Sequence, residues 1–221
     1  MDAKPDLDPL AGFGSADSSI LVPELRDPRR INAELIRRLD QGDAHVRIEG
    51  AEGHRLLLAG LTGSWRATVV IQGWSGPELC FGMNAPGVTV VCRGSSGDGA
   101  GSGMRAGTLA LMGPSGTAVG YHQEGGVIIA AEIVGPRAGL GMLGGDLFLF
   151  NFAKSFAGER QRGGRLFYPA HRVGRCWGWK ATGGERHWIP GMWDNRRDLA
   201  ARLVIDQAAR LSARFSTRRD D

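Results

Sequence analysis

Short apolar stretches return along this chain at a constant interval. Val90, Leu109, Ile128, Leu147 and Leu166 fall 19 residues apart, and Cys92, Leu111, Ala130, Leu149 and Tyr168 keep the same interval two positions on. Side chains on a strand alternate between its faces, so ladders at i and i+2 share one face. A 19-residue repeat is too short for a strand plus a crossover helix. The pattern therefore predicts an all-β fold, a right-handed parallel β-helix of about six short coils over residues 45–174. Val69 and Ile71 precede Val90 and Cys92 by 21, the irregular pitch expected of a terminal coil. Residues 45–64, with Val46, Ile48, Leu56, Leu57 and Leu58, supply one more degenerate coil.

Glycines mark the turns of the same repeat. Gly82, Gly101, Gly120, Gly139 and Gly158 form one series at 19, and Gly107, Gly126, Gly145 and Gly164 form another. Sharp turns demand backbone conformations open to glycine, and stacked turns bring neighbouring backbones close. The run Gly97-Asp98-Gly99-Ala100-Gly101-Ser102-Gly103 is thus a rung of the pattern. It lacks the following Lys-Ser or Lys-Thr of a phosphate loop and the distal acid of a dinucleotide unit.

The flanks differ in kind, which divides the chain into 1–44, 45–174 and 175–221. In the first segment Asp27 and Pro28 open a helix with Ile31, Leu35 and Leu39 at spacing four, suited to lid one end of the β-helix. The last segment is rich in tryptophan (Trp177, Trp179, Trp188, Trp193) and continues as an amphipathic helix over 196–216. Leu199, Leu203, Val204, Ala208, Leu211 and Phe215 make its apolar stripe; Arg202, Arg210, Arg214 and Arg218 share another face. Aromatic and arginine content of this kind favours docking to another subunit, with packing on its own β-helix as the alternative.

One ladder breaks the alternation. Val91, Ala110, Ile129, Phe148 and Phe167 lie between the inward positions and should point outward, yet all are apolar. A contiguous apolar strip is a contact surface, to be covered by the C-terminal tail or by another protein. With the tryptophans and Leu203, Leu211 and Phe215, Val91, Ile129, Phe148 and Phe167 form the candidate interface.

Catalytic patterns are missing. His45, His54, His122, His171 and His187 have no partner at metal-ligand spacing, and no Gly-x-Ser-x-Gly elbow occurs. Glu124, Glu132 and Glu159 fall in the turns of successive coils and read as solvated acids. Three cysteines, Cys80, Cys92 and Cys176, lack redox or metal spacing. A net charge of +4 is spread over scattered arginines and does not call for nucleic acid. No apolar leader or membrane-length stretch is present, so a cytoplasmic location is expected.

The runs Gly101-Ser-Gly-Met-Arg-Ala-Gly107 and Gly139-Leu-Gly-Met-Leu-Gly-Gly145 resemble the Gly-x-Gly-x-Gly β-helix domain that closes the large subunit of bacterial glutamate synthase. That domain also stands alone as a small subunit of N-methylglutamate synthase and related complexes. The C subunit of formylmethanofuran dehydrogenase is a further relative. The similarity covers roughly residues 28–174, including the helix with Ile31-Asn32; residues 175–221 depart from it. It implies a scaffold without catalytic residues, metal or cofactor of its own. Its implied partners are a glutamine amidotransferase-like subunit and an FMN-dependent synthase-like subunit carrying an iron–sulfur cluster. The scaffold would bridge them and help wall the ammonia path. A formyltransferase/hydrolase-type complex is the alternative setting, and self-association is open.

Overall fold

The computed structural model describes residues 19–169, 173–189 and 201–216, without the side chains of 201–203, 215 and 216. Nine strands form one sheet in which spatial order equals chain order and every pairing is parallel. They are β1 (Ser19–Leu21), β2 (His45–Glu49), β3 (Ala67–Ile71), β4 (Asn84–Cys92), β5 (Ala106–Leu111), β6 (Val127–Ala130), β7 (Asp146–Leu149), β8 (Arg165–Pro169) and β9 (Glu185–Ile189). Parallel neighbours joined by one coil each make a right-handed β-helix of about seven turns. The inward ladder is the expected one: Val69, Val90, Leu109, Ile128, Leu147 and Leu166 pair in register through the sheet. A second line of contact follows the first bend of each coil, where Ser75, Ser96, Ser115, Val134, Ala153 and Val173 bridge in single steps. The stack continues past residue 174, because β9 pairs with β8 along its length.

The third side of each coil is a six-residue turn with positive φ at every second residue. In one coil these are Gly99, Gly101 and Gly103, with φ of 70, 71 and 62°. Other coils place ordinary residues in the same columns, among them Cys80, His122 and Arg160 at 56, 51 and 54°, each at a cost of order 1 kcal/mol or more. Hydrogen bonds from coil to coil hold the columns. Gly120, Gly139 and Gly158 N–H groups donate to Ala100, Val119 and Ala138 carbonyls at 2.9, 2.7 and 2.7 Å.

Gly82 does not belong to that column. Gly101 N–H donates to Leu79 at 2.8 Å, while Gly82 N–H donates to Ser102, also at 2.8 Å. Cys80 is therefore the counterpart of Gly101, and Gly82 stacks beside Gly103. The cause is the two-residue excess near Ala85–Gly87, where the β4–β5 register shifts between Asn84 and Thr89. Gly82 precedes that insertion, so its interval of 19 from Gly101 is a coincidence of numbering. The doublet column keeps its expected place, and an added Cβ at Gly145 would meet the Gly126 carbonyl oxygen at 2.6 Å.

Gly101 illustrates how tightly the interior is built. An alanine there would combine φ +71° with a Cβ 2.4 Å from Ile128 Cδ1, and Ile128 is fully buried. Gly101→Ala is expected to cost about 2–4 kcal/mol, summing left-handed strain and overpacking. Urea unfolding of the variant checks this.

Two short helices precede the coils: α1 (Val22–Leu25) and α2 (Pro28–Asp40). The Asp27 carboxylate accepts from Arg29 N–H at 2.9 Å, capping α2. Ile31, Leu35 and Leu39 are buried in the continuous core with the lumen residues, so α2 lids the N-terminal end. Asn32 clamps the first coil, donating to Leu56 O at 3.1 Å and accepting from Leu58 N–H at 2.8 Å. Arg37 and Arg38 hydrogen-bond the Glu34 carboxylate and hold its pKa down from 4.5 to about 2. Because the folded value is the lower one, this stabilisation is complete above pH 4.5 and fades as pH falls toward 2. Glu34→Gln should therefore lower the melting temperature at pH 6, with the difference from the native chain shrinking toward pH 3.

Candidate functional site

The outward ladder meets a helix of its own chain. α3 (Ala201–Ser216) lies over the sheet. Val204 and Ala208 are buried with Ile129, Phe148, Phe150, Phe167 and Ile189, and Leu211 packs against that cluster. Ile205 packs on a second cluster of Val70, Val91 and Ala110. The strip expected to face a partner is thus buried beneath the tail. Val91, Ile129, Phe148, Phe167 and Leu211 line an internal contact, and the alternative in which the tail packs on its own β-helix describes α3. Phe148 and Phe167 stack at 4.2 Å between centroids, one rung apart.

A polar lock fixes the helix on this face. Asp146 and Arg165 occupy the same outward position on adjacent strands and form a bidentate pair at 2.6 and 2.6 Å. Ser212 Oγ donates to Asp146 Oδ2, and Arg165 Nη1 donates to the Ser212 carbonyl at 3.1 Å. Charge, partner charge and helix backbone are thereby satisfied together. His187 stacks on Phe167 at 5.0 Å and contacts Glu185 at 2.9 Å. Burial, reinforced by the Arg165 guanidinium and opposed by Asp146, pushes the imidazole below its usual range. An open depression of about 590 Å³ adjoins the lock, floored by Gly126, Gly144, Gly145 and Gly164. Its charged lining groups, Asp146 and Arg165, are already committed to each other.

The remaining candidates fall apart from one another. Glu124 is paired with Arg105 at 3.0 Å, Glu132 accepts from Asn151 at 3.3 Å, and Glu159 accepts from Arg137 at 3.1 Å. His122 lies on the surface, stacked on Tyr121 at 4.1 Å, with its ring over Gly141. Cys80 and Cys92 are buried, and burial pushes both thiols up, which makes them unreactive. Among the described residues no three His, Cys, Asp or Glu side chains gather as a metal site, and no helix is long and apolar enough to cross a membrane.

Trp177, Trp179 and Trp188 are exposed at the C-terminal end of the solenoid, by 49, 43 and 62%. Trp177 continues the lumen column of Ala138 and Ala157 and rests on Tyr168 at 5.3 Å. Trp188 continues the column of Tyr168. Both are lumen-facing positions with no further coil above them among the described residues. Trp193 and the side chains of Leu203 and Phe215 lie outside the described residues.

Sequence reasoning passed over the Asp146–Arg165–Ser212 lock. A signal was present: the two opposite charges are 19 residues apart, on the ladder occupied by Thr108 and Val127. The same applies to Gln123 and Gln161, buried amides in the column of Met104 and Met142. The Gln123 amide donates to three backbone carbonyls at 3.1–3.2 Å across the lumen wall.

The architecture defines a parallel β-solenoid carrying one helix along its sheet. No family model matches the chain, and no curated protein or solved structure gives a match to it.

Proposed function

We propose that the chain is a non-catalytic scaffold subunit of a glutamate-synthase-like, glutamine-dependent amidotransferase complex. It would bridge an amidotransferase subunit and an FMN-dependent synthase subunit in the cytoplasm and help wall the ammonia path between them. The observation that carries the reading is the Gly99-x-Gly101-x-Gly103 turn, whose three glycines all take positive φ. That backbone geometry gives the Gly-x-Gly-x-Gly resemblance a structural reason. The solenoid supplies what a scaffold needs, a rigid body whose surface positions are fixed rung by rung. Coexpression with a glutamine amidotransferase and an FMN-dependent synthase from the same gene neighbourhood tests it. A stable three-part complex on size exclusion is the expected result. A chain that elutes alone from both partners overturns it.

A further inference from the structure

The positive-φ turns make a face of their own, and its charge changes sign along the solenoid. Toward the N-terminal end it carries Glu78, which is paired with Arg55 at 3.0 Å, and Asp98, which together leave a single net negative charge there. From residue 136 to 182, Arg137, Lys154, Arg160, Arg162, Arg175 and Lys180 are all exposed. Among the described residues of that stretch the acids are Asp146, which faces α3, and Glu159.

Glu159 organises the basic residues without cancelling them. Its side chain is only 8% exposed and lies between Arg137 at 3.1 Å and Arg160 at 3.9 Å. Those two guanidinium groups are 53 and 61% exposed, so one edge of each is anchored and the other faces water. Arg137 also sits over the Phe156 ring at 5.9 Å, and Lys180 over Trp179 at 4.3 Å. Phe156 and Trp179 meet edge to face at 6.0 Å. Arg137 and Lys180 are thus held over aromatic supports, and Arg160 is steadied by Glu159, which reduces the entropy lost when they bind an anion.

We propose that the Arg137–Arg160–Lys180 row around Glu159 and Trp179 is a docking surface for a carboxylate-rich stretch of another protein. Charge complementarity selects an acidic occupant. A nucleic-acid strand fits less well. The row spans about three rungs, roughly 10–15 Å, and toward the N-terminal end the face carries no further basic row among the described residues. Arg55 is taken up by Glu78, and the exposed Asp98 would repel a phosphate backbone continuing that way. The Phe156 and Trp179 rings carry the chain's own cations, where a stacking platform for bases needs open ring faces. A second copy would set one basic row against the other if paired through this face. The inference does not depend on which complex the scaffold serves.

The test uses the full chain and a fluorescein-labelled decaglutamate, followed by anisotropy at about 100 mM salt, with oligo-dT of ten nucleotides as competitor. Arg137→Ser/Arg160→Ser/Lys180→Ser should weaken decaglutamate binding by about tenfold or more. Arg29→Ser/Arg30→Ser/Arg66→Ser, which removes the same charge elsewhere, should leave it within about twofold. Since Arg137 and Arg160 support buried Glu159, the single variant Lys180→Glu serves as a second probe that leaves both in place; it should weaken binding at an unchanged melting temperature. The proposal is overturned if the native chain fails to bind decaglutamate, if the two triple variants lose binding equally, if Lys180→Glu binds like the native chain, or if the oligonucleotide binds more tightly than the peptide.

Discussion

A chain ended at residue 200 is expected to melt about 10 °C below the native protein and to self-associate. Without α3, Ile129, Phe148, Phe150 and Phe167, now 1% exposed or less, lose the helix above them. Full burial of such a side chain is worth about 1.5–3 kcal/mol, and a helix covers one side of each. The loss of cover is therefore about 3–6 kcal/mol, from which the cost of ordering a helix that is marginal alone must be subtracted. A net of about 2–5 kcal/mol in a chain of this size corresponds to roughly 10 °C. The uncovered strip also becomes a contiguous apolar patch. Scanning calorimetry and light scattering measure both consequences, and a truncated chain that stays monomeric and melts within about 2 °C of the native one would refute the covering role. Ala208→Glu separates packing from chain length. Its side chain is 1% exposed, so the substitution should lift α3 while every other residue stays in place.

The second large effect is expected at the lock. Asp146→Ala removes the bidentate partner of Arg165, whose side chain is 17% exposed, and the carboxylate that accepts from Ser212 Oγ. Breaking a buried pair from one side leaves an uncompensated charge and costs about 3–5 kcal/mol. The depression beside the pair admits water, which favours the lower end. Asp146→Leu/Arg165→Met removes both charges and should recover much of the loss, so the double variant should be more stable than Asp146→Ala. Urea titration of the set gives the coupling. A double variant no better than the single one would show that the pair contributes through packing alone.

The solenoid was legible because its two ladders repeat through residues that have few other roles. Val90, Leu109 and Ile128 pair in register as their interval requires. The turn columns were legible only where glycine fills them. Cys80, Arg137 and Phe156 adopt the same positive φ without a compositional sign, and Gly82 advertised the wrong column because the insertion beside Pro86 lies downstream of it. The apolar character of Ile129, Phe148 and Phe167 revealed that something covers them. It could not reveal what, since an amphipathic helix presents the same stripe to its own sheet as to a partner. The choice depended on a return of the chain across the sheet that no local spacing encodes.

A stack of equivalent rungs has no inherent length, and one duplicated unit of 19 residues could extend it at either end or in the middle. α3 supplies what the rungs lack. Its 16 residues measure about 24 Å, close to five rungs at about 4.8 Å each. It touches the stack at fixed marks, with Ile205 on the cluster of Val70, Val91 and Ala110, and Ser212 on Asp146 and Arg165. An extra coil placed between those marks would carry the lock away from Ser212 while Ile205 stayed seated. The helix therefore acts as a ruler over the coils between those marks: it fixes their number, while the ends of the stack stay outside its reach.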